Sequence, residues 1–325
     1  MSEPLLQVDG LRARCFTAAG VAKTVDDVSF TLARGEVLGL VGESGSGKSM
    51  TGLAIMRLID PPGELVGGRI VFDGEDLATL SEKRLRQLRG NRLAMVFQDP
   101  LRTLNPMLRI DTQMVEAILA HDAIPRAAAL ALAREALVQV GVPSPEVRLK
   151  AYPHQCSGGM LQRVAVAISL LNRPDLIIAD EPASALDVTI QGQIVEAMQQ
   201  FIRATGTALI WIAHDFSVVA GLADRVGIMY AGRIVEQGHT GEVLRAPGHP
   251  YTRGLLDSVP GNAAWREKLK PISGLPPSLI DLPPGCGFRP RCPYATAECG
   301  EIPALRPHGA TGGSLRCFHP LAPPA

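Results

Sequence analysis

The chain has 325 residues, 46% of them hydrophobic, and its 32 lysines and arginines balance 32 aspartates and glutamates. That length allows one large domain with an appendage or about two domains, and the neutral balance excludes the broad positive field that draws a protein onto nucleic acid or an anionic bilayer. No apolar run approaches the roughly 20 residues of a bilayer span, so any membrane contact is expected through a protein partner.

The opening segment MSEPLLQVDGLRAR lacks a charged head followed by an apolar run, so the cytoplasm is the expected compartment and disulfides are not expected. The first buried-strand pattern in chain order is EVLGLVG, Glu36 to Gly42. It leads into Gly42, Glu43, Ser44, Gly45, Ser46, Gly47, Lys48 and Ser49, which fit the phosphate-binding pattern G-x-x-x-x-G-K-[ST], with Met50 following on the helix. Glycines are needed there because so tight a turn requires positive φ and must bring backbone N–H groups against phosphate oxygens. Lys48 supplies a point charge, Ser49 a hydroxyl for Mg²⁺, and the helix its positive dipole end.

Between Pro100 and Pro174 the pattern changes to alanine and leucine at helical spacing, as in AAALALAREALVQVGV, which predicts a helical insertion. The next buried strand, LIIAD, ends in Asp180 and Glu181. Asp180 is placed to hold Mg²⁺, and Glu181 to polarise a water attacking the γ-phosphate. Another apolar run, ALIWIAH, ends at His214, and DRVGIMYAGRIVEQG predicts a hairpin turning at Ala231-Gly232. Short strands alternating with helices argue an α/β sheet with parallel strands. Fifteen of the 26 prolines lie from Pro247 onward, which places a boundary between an ATPase domain at 1–246, with its helical part at about 100–174, and a tail at 247–325.

Beside the phosphate loop and the carboxylate pair stands YPHQCSGGMLQRV, and there the chain resembles the ATP-binding cassette ATPases. Cys156 to Met160 is similar to the family's LSGGQ signature, with Cys156 in place of leucine and Leu161 in place of a polar residue. Ser157, Gly158 and Gly159 open a helix and so offer a second anion site. The resemblance implies a RecA-like core with an antiparallel β subdomain and a helical subdomain. It also implies a head-to-tail pair of ATPase domains, each nucleotide lying between one phosphate loop and the other domain's signature. Gln98 in VFQDP is similar to the glutamine that contacts Mg²⁺ and responds to the membrane partner. Ser184 to Asp187 resembles the loop that crosses the dimer interface, His214 the histidine that touches the γ-phosphate, and Phe16 the aromatic that stacks on adenine.

The runs GESGSGKSMT, FQDPLRTLNPMLRI, ADEPASALDVTIQGQI and GHPYTRGLLDSVP are similar to the ATPases of dipeptide and oligopeptide importers, with nickel importers as relatives. That implies a peripheral subunit on the cytoplasmic face of the inner membrane. Its partners would be two transmembrane permeases, a second and different ATPase chain, and indirectly an extracytoplasmic solute-binding protein. Nickel import, or a soluble cassette ATPase acting on nucleic acid, is the alternative.

Cys286, Cys292, Cys299 and Cys317 are separated by five, six and seventeen residues, with no Cys-x-x-Cys pair. That spacing disfavours zinc, with His319 a spare ligand, and leaves a [4Fe-4S] cluster or free thiols. The resemblance to peptide-importer ATPases implies the cluster. Because no phosphate-binding or water-activating group lies near these cysteines in sequence, the cluster is expected to be remote from hydrolysis.

Overall fold

The computed structural model describes residues 3–184, 187–214, 216–258, 271–309 and 311–322. Two compact units emerge, one formed by Met1–Ala33, Val37–Ala78 and Trp211–Ala325, the other by Arg34–Glu36 and Thr79–Ile210. The division falls inside the strand Ala208–Ala213, whose residues are all buried.

In the first unit, Gly20–Leu32, Leu6–Thr17, Gly63–Phe72 and Glu75–Asp76 form an antiparallel sheet in that order. Alternating burial along Leu6–Thr17 puts Leu6, Val8, Leu11 and Ala13 into the core. A second sheet contains Val37–Val41, parallel to Arg225–Tyr230 and buried at every position, as a strand covered on both faces must be. Arg225–Tyr230 turns back into Arg233–His239 through Ala231 (φ 49) and Gly232 (φ 80). Positive φ at both central residues is the two-residue turn whose twist matches a hairpin. Asp26 accepts hydrogen bonds from Arg233 (2.5 and 2.9 Å) and from Arg14 (2.6 Å), which fastens this hairpin to the antiparallel sheet. The tail adds Gly313–Leu315 against Arg233–His239, and Arg306–His308 outside that. Proline-rich composition gave no hint of these two strands.

In the second unit, Leu93–Val96 and Leu176–Asp180 pair in parallel. The helices Ile110–Leu119, Arg126–Gln139, Pro145–Leu149 and Gly158–Leu170 lie between them in sequence, as the alanine-leucine spacing predicted. Val115, Ile118 and Ala129 are fully buried where the first two of these helices pack. Among the described residues, no helix is long and apolar enough to cross a membrane.

Candidate functional site

The phosphate-binding residues lie in the first unit. Gly47, at φ 105, precedes the helix Lys48–Ile55, and a Cβ there would come within 2.3 Å of the Thr24 carbonyl oxygen. At Gly42 a Cβ would meet the Met229 carbonyl oxygen at 2.2 Å. Both glycines are therefore dictated by backbone crowding around the loop as well as by its turn. Lys48 is buried, and its Nζ donates to the carbonyls of Gly42 (2.7 Å) and Glu43 (3.0 Å), so the ammonium is held inside the loop that it completes. Ser49 and Met50 follow, half-buried, on the first turn of the helix, while Ser44 and Gly45 are exposed. Phe16 is 45% exposed at the end of its strand, available as a surface aromatic rather than spent in the core. His214 is exposed just beyond Ala208–Ala213.

The second unit carries the carboxylates. Asp180 ends a fully buried strand, and Glu181 follows it with its backbone in the left-handed region at φ 45. Gln98 Nε2 donates to Glu181 Oε2 at 3.1 Å, so two residues 83 positions apart in the chain meet at one carboxylate. Ser157 caps the helix Gly158–Leu170 by accepting from the Met160 N–H, and Asp187 caps Val188–Thr205 by accepting from Ile190. A Cβ at Gly158 would meet nothing within 4 Å, so the chain's own packing does not require glycine there. Leu161 is buried, and its departure from a polar residue is absorbed by the core; burial pushes the half-buried Cys156 thiol up. A groove of 1370 Å³ gathers Gln98, Ser157, Gly158, Gly159, Ser184 and Asp187. Ala185 and Leu186, also expected in the interface loop, lie outside the described residues.

The chain matches the family described as ABC transporter over residues 25–184, and the oligopeptide/dipeptide transporter C-terminal region over residues 235–299. It is 45% identical to the dipeptide transport ATP-binding protein DppD of Escherichia coli over 318 residues, 98% of this chain and 97% of that protein. The chain belongs to the ATP-binding cassette family. Within that family it is also 44% identical to the oligopeptide transport ATP-binding protein OppD of Escherichia coli, over 98% of this chain and 94% of that one. The solved dimeric structure of MJ0796, a bacterial ABC transporter cassette, shares the fold with a TM-score of 0.66 at 23% identity, covering 72% of this chain and 98% of that one. The cassette cbiO1 from Clostridium perfringens gives 0.62 at 26% identity, covering 74% and 91%.

In this cassette none of the tail cysteines forms a disulfide among the described residues. The Cys286 N–H donates to the Cys299 carbonyl at 3.0 Å, and His319 N–H donates to Cys317 Sγ at 3.3 Å. Burial pushes the Cys317 thiol up to about 11. Burial likewise raises Cys286 and Cys292. Among the described residues no group of three or more His, Cys, Asp or Glu is gathered as for a metal ion. His319 bonds to Thr296 at 2.7 Å.

Residues that motif reading did not reach surround Glu43. Arg291 forks onto its carboxylate at 2.6 and 3.0 Å, and the Glu43 N–H donates to the Tyr251 hydroxyl at 2.8 Å. Tyr251 belongs to GHPYTRGLL and Arg291 to CGFRPRC, runs whose resemblance was visible while their contacts were not.

Proposed function

We propose that this chain is the ATP-hydrolysing subunit of a dipeptide or oligopeptide importer, working as a peripheral protein on the cytoplasmic side of membrane permeases. The observation that carries the reading is similarity to DppD and OppD over 98% of the chain, which takes in the ATPase part and the tail alike. Nickel import and action on nucleic acid find no support among these relatives.

Lys48, Ser49 and the loop N–H groups are assigned to the phosphates of ATP, with Phe16 on the adenine. Asp180, Ser49 and Gln98 would hold Mg²⁺, which neutralises phosphate charge when bound. Glu181 takes the proton of the attacking water and His214 faces the γ-phosphate. Ser157, Gly158, Gly159 and Asp187 would serve the nucleotide of a partner ATPase, most simply a different chain in a head-to-tail pair. The hydrogen bond from Gln98 to Glu181 supplies a route for control. A permease that shifts the Gln98 segment alters the aim of the water-activating carboxylate and so the rate of hydrolysis.

The tail from residue 247 is assigned as a family-specific domain in which Cys286, Cys292, Cys299 and Cys317 would hold a [4Fe-4S] cluster. A [4Fe-4S] cluster takes four cysteine thiolates, the number that this loop-rich tail supplies. Its contribution would be to close proline-rich loops that apolar burial cannot. Purification of the tagged chain from its native host tests the whole reading. Permease chains, a second cassette and peptide-stimulated ATPase activity are expected. Copurification with nucleic acid or ribosomes, and no permease, would overturn it.

A further inference from the structure

A carboxylate at Glu43 is an odd occupant of a loop built to receive a polyanion, since uncompensated negative charge there repels the ligand. Its compensation comes from the tail. Arg291 Nη1 meets Glu43 Oε2 at 2.6 Å and Nη2 meets Oε1 at 3.0 Å, the paired-fork geometry that fixes both groups. The arginine side chain is only 4% exposed, and two more of its donors are taken, Nε by the Ser273 carbonyl at 2.9 Å and Nη1 by the Tyr230 hydroxyl at 3.3 Å. The guanidinium also lies 5.8 Å from the Tyr230 ring centre and 5.9 Å from that of Phe288. Such a side chain has little freedom to leave its partner.

Glu43 passes this restraint inward. Its carbonyl accepts from Lys48 Nζ at 3.0 Å and from the Ser46 N–H at 3.1 Å, while its own N–H is fixed on Tyr251. Another stretch of the tail lies beside the loop. Pro276, Pro277 and Leu279 line a gap of 10 Å³ with Glu43, Ser44, Gly45 and Ser46, room for about one water at most. The Leu279 carbonyl accepts from the Lys23 N–H at 2.9 Å, anchoring that stretch of tail beside the loop.

We propose that Arg291 is a positioning residue for the phosphate-binding loop: its grip on Glu43 neutralises the carboxylate and sets the place of Lys48, so nucleotide affinity depends on the tail being folded. This rests on the reading that Gly42 to Ser49 binds the phosphates of ATP.

The test is a cycle of Arg291→Met and Glu43→Gln in the full chain, read by titration with a fluorescent ATP analogue and Mg²⁺, with Lys48→Ala as reference. Arg291→Met alone should weaken binding about tenfold, because it leaves a half-buried carboxylate unpaired beside the phosphates. In the Glu43→Gln background the same change should cost less than about threefold, since no charge is left to compensate. Arg291→Lys, which keeps charge but not the fork, should fall between. In steady state Arg291→Met should raise KM for ATP and leave kcat within about threefold. Equal cost of Arg291→Met in both backgrounds, as simple unfolding of the tail would give, overturns the proposal. So does unchanged affinity in Arg291→Met when Lys48→Ala has lost binding. Unchanged affinity in Lys48→Ala itself would instead remove the nucleotide from this loop.

Discussion

Glu181 joins its neighbours in two ways that pull on different steps of the reaction. Its side chain receives Gln98 Nε2, and its position directly after the buried Asp180 puts a second carboxylate at the end of the same strand. Replacing it by glutamine retains the shape and much of the hydrogen bonding but removes the proton acceptor. Glu181→Gln is expected to cut ATP turnover at least about a hundredfold while MgATP affinity stays within about threefold. Near-normal steady-state hydrolysis would take the role away from Glu181. Gln98 and Glu181 could both be singled out in sequence as candidates, Glu181 by its place after a buried strand and Gln98 through the family resemblance. Arg291 was not, since it reaches Glu43 across 248 positions and an arginine among prolines has no periodic signal to mark it. Only the folded chain shows that a residue about three quarters of the sequence away fills out the loop.

Elements were easier to read than contacts, and the exceptions have a physical cause. The run EVLGLV and the run LIIAD are apolar because their strands are buried at nearly every position, and that burial is visible in composition. Gly313–Leu315 and Arg306–His308 escaped notice because three-residue strands leave too few positions for alternation to show. The helix Gly158–Leu170 supports a sharper expectation. An alanine at Gly158 has open space for its Cβ and a higher helix propensity, so Gly158→Ala should leave the melting temperature of the isolated chain unchanged or slightly raised. The same variant should lower ATPase activity in the assembled transporter, where that space is assigned to a partner's nucleotide. Full activity in the assembly would show that the gap at Gly158 has no occupant. At the start of Pro250–Asp257, His249 accepts from the Tyr251 N–H, and burial holds its pKa down at about 3. The folded state therefore resists a proton that the unfolded chain binds near its ordinary value of about 6.5. Stability from this group is complete above that value and is lost as pH falls toward about 3. Thermal melts across that window should show a falling midpoint, and His249→Gln should flatten the slope; an unchanged slope in the variant would assign the acid sensitivity to other groups.

For the molecule as a whole, the order of motifs along the chain was enough to give the fold, because each motif is tied to the end of a strand or the start of a helix. The cluster was expected to be remote from hydrolysis, but another part of the tail reaches the phosphate loop: Arg291 precedes Cys292 and holds Glu43, and the tail's strands extend the sheet of the unit that carries Lys48. Cys292→Ser should therefore lose iron from anaerobically purified protein, expose the tail to protease and weaken ATP binding as well. Stoichiometric zinc without labile sulfide, or a metal-free tail that resists protease, would contradict the cluster assignment. The isolated chain should hydrolyse ATP slowly and gain at least about tenfold on assembly, because its signature residues are proposed to serve a site that a second cassette completes; full activity from a demonstrable monomer would contradict the paired arrangement. The left-handed backbone at Glu181 carries a further meaning for the molecule. A glutamate at φ 45 costs on the order of 1 kcal/mol, and asparagine adopts that conformation more readily. Glu181→Asn should then melt a degree or more higher than the natural chain while losing its turnover. A thermostability screen blind to activity would select against the residue proposed to activate water, and the natural sequence would then sit below its own stability optimum at that point.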